Sequence, residues 1–129
     1  MTVKTENFSL EGDPKLACTC GKVLCDKRAV KQWFLNMLQL VRDEYGFSMI
    51  ITSGGRCPYH KNEIHRSEPA DHQKQLGVDV RITGLVMAMK LVAIGAKHGF
   101  NAFGINLKAG FIHMGHRPEN GSKISVWEY

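Results

Sequence analysis

The sequence predicts an α+β domain in which one small sheet carries its helices on a single face. Two observations point there. Two stretches repeat apolar residues every three or four positions, the period of an amphipathic helix, and several short apolar or alternating runs separate them, each bounded by turn residues. A third observation sets the size: 129 residues fit one domain spanning 1–129, with enough chain to bury a core. A hydrophobic share of 43% and a charged share of 22% are those of a globular protein, which excludes a disordered chain.

Residues 1–25 read as an irregular N-terminal segment punctuated by Gly12, Pro14 and Gly21. From Asp26 the pattern turns helical, with Val30, Phe34, Met37, Leu38, Val41 and Tyr45 forming one apolar stripe, Asp26 as the cap and Gly46 as the stop. That stripe is a core face. Phe47 to Thr52 is a short apolar run suited to a buried strand. Residues 53 to 77 are rich in Gly, Pro and charge, and a long loop inside a compact domain is usually functional or disordered. Val78-Asp79-Val80-Arg81-Ile82 alternates as a strand does. Thr83 is placed to cap a second helix, about Leu85 to His98, closed by Gly99. Ala102 to Ile105, Phe111 to Met114 and Ile124 to Trp127 complete the strands. No repeat, linker or low-complexity segment interrupts the order.

A formal charge of +5 and a pI of about 9.1 favour anionic partners. Lysines and arginines are scattered and no aromatics interleave with them, so the expectation is no nucleic-acid partner. The first residues, Met1 to Ser9, lack the apolar run of a secretory signal. The apolar stretch from Leu85 to Ala96 contains Lys90 and is too short to span a bilayer. The chain is therefore expected to be a monomer made in the cytoplasm, with no membrane association.

Cys18, Cys20 and Cys25 fall within eight residues, and Cys57 follows later. They fit a metal cluster completed by Cys57 or a histidine, reduced buried thiols, or a disulfide, and the spacing matches no common zinc ribbon.

His72, Asp79 and His113 carry the most chemistry. Two imidazoles and one carboxylate are a common ligand set for catalytic zinc, which keeps a fourth position open. Val78, Val80 and Ile82 share one face of their strand, so Asp79 points to the other. Ile112 and Met114 likewise leave His113 on the opposite face. If both apolar sets pack on the same helices, Asp79 and His113 emerge together, and His72 can swing over them from the preceding loop. The bland alternative is three solvated surface residues.

The company of these residues resembles that of one family. Thr52-Ser53-Gly54-Gly55-Arg56-Cys57-Pro58-Tyr59-His60 is similar to the Ser-Gly-Tyr-Arg-Cys-Pro-x-His segment of the zinc murein peptidases. These include D-alanyl-D-alanine carboxypeptidases, D,D-dipeptidases and phage L-alanyl-D-glutamate endolysins. His72 to Asp79-Val80 keeps the family's His-x6-Asp spacing, and Gly104-Ile105 with Phe111-Ile112-His113 matches its third segment. Trp127-Glu128-Tyr129 resembles its closing Trp-x-Tyr, and Phe8-Ser9 with Cys18-Thr19-Cys20-Gly21 a recurrent opening. The resemblance runs from about Phe8 to Tyr129.

It implies a small central antiparallel sheet of hedgehog or D,D-peptidase type, with helices on one face and a zinc site on the other. His72, Asp79 and His113 fall on the zinc ligands. Arg56 falls on the arginine that binds a substrate carboxylate or carbonyl, a role its planar fork suits, and Ser53 assists in the same loop. The implied activity is zinc-dependent hydrolysis of peptide bonds in bacterial peptidoglycan stems or crosslinks, by a zinc-activated water, as carboxypeptidase or endopeptidase. The implied setting is the cell wall, reached after release or on a virion, as for a phage endolysin.

The chain also departs from the pattern. Ala70 replaces a serine, Gln75 a glycine and Gly55 an aromatic. Gly110 and Gly115 fill both slots where branches of the family place a helper carboxylate, and Phe111 fills a third branch's histidine slot. His116 is then the nearest candidate base, provided the chain turns near Gly115. Asp71, Glu68 and His65 are more remote candidates. The missing carboxylates keep a second reading open, a non-catalytic zinc-stabilised wall-binding or structural module. A DNA-binding metal module rests only on charge and the cysteines.

Overall fold

The computed structural model describes Thr2 to Tyr129. Two helices, α1 (Gln32–Tyr45) and α2 (Leu85–Lys97), accompany five strands. The strands are β1 (Ile51–Ser53), β2 (Gly77–Arg81), β3 (Ala102–Asn106), β4 (Phe111–Gly115) and β5 (Ser125–Glu128). They form one sheet in the order β1-β2-β4-β3-β5.

The α+β reading holds, with one correction. The sheet is mixed rather than antiparallel, because β5 runs parallel to β3, pairing Phe103 with Val126 and Gly104 with Trp127. The other three pairings are antiparallel. Alternation in a sequence announces a strand but not its partner, and β5 reaches the far side of β3 through the turn at residues 118–120.

β2 and β4 behave as their alternation requires. Val78, Val80, Ile112 and Met114 are buried on the core side with Phe34, Leu35, Leu38, Ala88 and Leu91 of the two helices. A methyl group on Gly95 of α2 would lie 2.9 Å from Phe103 and 3.0 Å from Met114, so glycine there lets helix and sheet approach closely. The register sets Asp79 directly opposite His113, on the face away from this core.

Two predicted starts move and one predicted cap fails. α1 begins at Gln32 rather than Asp26, since Asp26 spends its carboxylate on the Arg28 guanidinium instead of capping a helix. Val30 still enters the core, from extended chain. α1 stops as expected at Gly46, whose φ of 81° is left-handed. The first strand is shorter than Phe47 to Thr52, because Phe47 and Ile50 are exposed and pairing with β2 starts at Ile51. At α2 the residue before the helix is Gly84, and Thr83 Oγ1 turns to the Met87 sulfur at 3.8 Å rather than capping. Among the described residues, no helix is long and apolar enough to cross a membrane.

Candidate metal centre

His72, Asp79 and His113 meet on the outer face of the sheet. His113 Nδ1 lies 3.1 Å from Asp79 Oδ1 and 3.2 Å from His72 Nε2, and His72 Nε2 lies 3.2 Å from the same carboxylate oxygen. All three residues are buried.

The outer hydrogen bonds decide what these atoms are. His72 Nδ1 donates to the carbonyl of Gly54 at 2.7 Å, and His113 Nε2 donates to Asp71 Oδ2 at 2.8 Å. Each neutral ring then turns a lone pair inward. Two imidazole lone pairs and a carboxylate oxygen thus form a nearly equilateral triangle of acceptors, an arrangement that repels itself unless a cation sits against it. Ligands about 2.0–2.1 Å from a tetrahedral zinc stand roughly 3.3 Å apart, so the donor set and its spacing fit that ion.

Without a metal, a proton takes the cation's place. Burial alone would lower His113, but the Asp71 and Asp79 carboxylates outweigh it and raise its pKa above the ordinary histidine value. Burial would likewise raise Asp79 and Asp71. A hydrogen bond from protonated His113, with the His72 ring beside it, holds Asp79 well below the carboxylate range, and hydrogen bonds from His113 and Arg117 lower Asp71.

The trio forms the floor of a cavity of about 540 Å³. Arg56, Glu63, Asp71, Arg117, Trp127 and Tyr129 contribute to its walls. Arg56 comes from the loop after β1, where its Nε donates to Ser53 Oγ at 3.1 Å. Its terminal nitrogens lie 3.2 Å from Glu63 Oε2 and 3.5 Å from Asp79 Oδ2. Ser53, Arg56 and the three acceptor residues are therefore brought together. His65 also lines the cavity, and Glu68 does not.

His116 is not brought to the trio. No turn forms at Gly115: the His116 amide continues the ladder by donating to Leu76 O at 3.0 Å, and alternation sends the side chain to the other face. There its Nδ1 donates to the carbonyl of Gly99 at 2.8 Å and its ring meets Trp33 edge-on.

Residues 7–115 match the family model described as Peptidase M15. The chain belongs to the peptidase M15 family. No curated protein and no solved structure matches it significantly. This M15 peptidase is thus a member of a zinc-dependent metallopeptidase family, and it presents a buried ligand set suited to that ion.

Three wall residues of the peptidase escape sequence reasoning. Arg117 binds both oxygens of Asp71 at 3.0 and 3.1 Å and lies over the Trp127 ring, 4.9 Å from its centre. Glu63 is almost fully buried in the long loop between Arg56 and Arg66. Asp71, noted only as a remote base, is the hydrogen-bond partner of His113. A lone carboxylate such as Glu63, between Arg56 and Arg66, carries no distinctive spacing. The one available signal for Asp71 was its place beside His72.

A substituent on Gly115 would lie 2.8 Å from Asp71 Oδ2. The Asp71 carboxylate thus fills the space above Gly115, one of the two slots where the family resemblance leads one to expect a helper carboxylate.

Proposed function

We propose that this peptidase hydrolyses peptide bonds in the stems or crosslinks of bacterial peptidoglycan, with His72, Asp79 and His113 holding zinc. The observation that carries the reading is the acceptor triangle at the floor of a cavity walled by three guanidiniums, those of Arg56, Arg66 and Arg117. Three carboxylates, Glu63, Asp71 and Asp79, offset them, so a divalent ion leaves the cavity net positive. Such a cavity favours a peptide bearing free carboxylates, and peptidoglycan stems are peptides of that kind. The net charge of +5 suits an acidic polymer at longer range.

Zinc, when bound, supplies a Lewis acid that polarises a carbonyl and acidifies water. The chain's own groups do the rest. Asp71 fixes the tautomer of His113 and its ring orientation, as the carbonyl of Gly54 does for His72. Arg56 offers its fork to a substrate carboxylate or carbonyl, and Ser53 and Glu63 hold that fork in place. Trp127 packs beside His113, 5.6 Å between ring centres, and keeps bulk water from that side. Asp71 has both oxygens hydrogen-bonded, whereas Glu63 Oε1 makes no hydrogen bond and has only the Arg66 Nε beside it, at 3.3 Å. In this reading Glu63 takes the proton of the attacking water and returns it to the leaving amine.

Metal analysis joined to mass spectrometry of digested muropeptides tests the proposal. About one zinc held by the trio is expected, with His72→Ala or Asp79→Ala losing that ion and turnover together. Glu63→Gln should keep the metal and lower kcat by about 10²–10⁴-fold. An active metal-free preparation would sink the zinc mechanism. Binding to peptidoglycan with no released amino groups would leave a wall-binding module instead.

A further inference from the structure

We propose that Cys18, Cys20, Cys25 and Cys57 form a second metal centre, a structural tetrathiolate zinc site that fastens the N-terminal hook to the loop carrying Arg56. The four thiols are free, and their sulfurs all lie within 4.8 Å of one another. The Cys20 and Cys57 sulfurs approach to 3.5 Å. A disulfide needs about 2.05 Å. Four sulfurs about 2.3 Å from a tetrahedral zinc stand roughly 3.8 Å apart, close to what is seen.

The backbone is arranged for thiolates. The Lys27 amide donates to Cys25 Sγ at 3.3 Å. Lys27 reaches this geometry with a φ of 55°, and for a lysine that left-handed backbone is uncommon. Amides aimed at sulfur stabilise a negative charge, and a neutral thiol is a weak acceptor. Four thiolates this close repel one another unless a cation joins them. Four protein ligands close the coordination shell, the mark of a structural site, whereas the histidine-aspartate trio leaves a position open.

The site has a positioning role. Residues 16–28 lie directly on the loop after β1. The Gly55 amide donates to Leu16 O at 2.9 Å, and a methyl group on Gly54 would lie 2.6 Å from the same carbonyl. That loop carries Arg56 and also the Gly54 carbonyl that orients His72. Fastening Cys57 to the hook therefore fixes one catalytic ligand and the candidate substrate arginine at once.

The test is metal counting on the full chain purified under reducing conditions, with cobalt substitution. Two zinc ions per chain are expected. Asp79→Ala should retain one, and its cobalt form should show sulfur-to-cobalt charge-transfer absorption. Cys25→Ser should lose that absorption and about one ion. An Asp79→Ala protein with no bound metal and no sulfur-to-cobalt band overturns the proposal, as does mass spectrometry showing a disulfide among the four cysteines. Asp79→Ala leaves every cysteine intact, so this arm decides even if Cys25→Ser fails to fold. Loss of peptidase activity alone leaves the cysteine result unaffected.

Discussion

Asp71 shows how much one side chain can carry without touching the metal position. Its carboxylate accepts from His113 Nε2 on one side and from Arg117 on the other, which fixes which nitrogen of His113 faces the trio. Asp71→Asn keeps the shape but removes the charge that favours this tautomer. Zinc affinity should fall about 10–100-fold, read by competition with a chelator, while the fold survives. The trio was legible in the sequence because strand alternation and the spacing from His72 to Asp79 are local facts. Asp71, Glu63 and Arg117 were not, because their roles come from contacts such as Arg117 to Asp71, 46 residues apart. The base was misplaced on His116 for a related reason. Its distance from His113 in sequence is short, but the continued ladder to Leu76 puts it on the wrong face.

At the scale of elements, β2, β4 and α2 were readable and β5 was only half so. The alternation near Trp127 predicted a strand, yet its parallel seat on β3 arises from packing of the indole over Gly104. A methyl group on Gly104 would lie 2.5 Å from the indole nitrogen and 2.6 Å from the adjacent ring carbon, atoms of a rigid ring held in the sheet. Gly104→Ala should therefore cost about 1–3 kcal/mol and lower the melting temperature by several degrees, with a change in tryptophan emission as Trp127 is displaced. A melting curve matching that of the native chain would show that β5 can shift freely. The early start expected for α1 failed on one ion pair: the Asp26 side chain closes on Arg28, and extended chain continues to Lys31.

For the molecule as a whole, the buried charges make stability depend on pH in opposite senses with and without metal. In the metal-free protein, Asp71 and Asp79 have pKa values below the ordinary 3.8, so their contribution is present above that value and lost as pH falls through the folded ones. His113 is raised above 6.5, so its contribution is complete below 6.5 and lost as pH rises through the folded value. The metal-free chain should thus gain most from these groups between 3.8 and 6.5. Zinc needs His113 neutral. The rise in melting temperature on adding zinc should grow from about pH 5 to about pH 8, measured by paired thermal scans; a constant rise would mean His113 is not a ligand. The aromatic wall against His113 has a temporal consequence too. Trp127 lies on the last strand of the sheet, while Gly55, next to Arg56, bonds Leu16 near the other end of the sequence. The cavity is therefore complete only once Ser125–Glu128, the strand formed last along the chain, has docked beside β3.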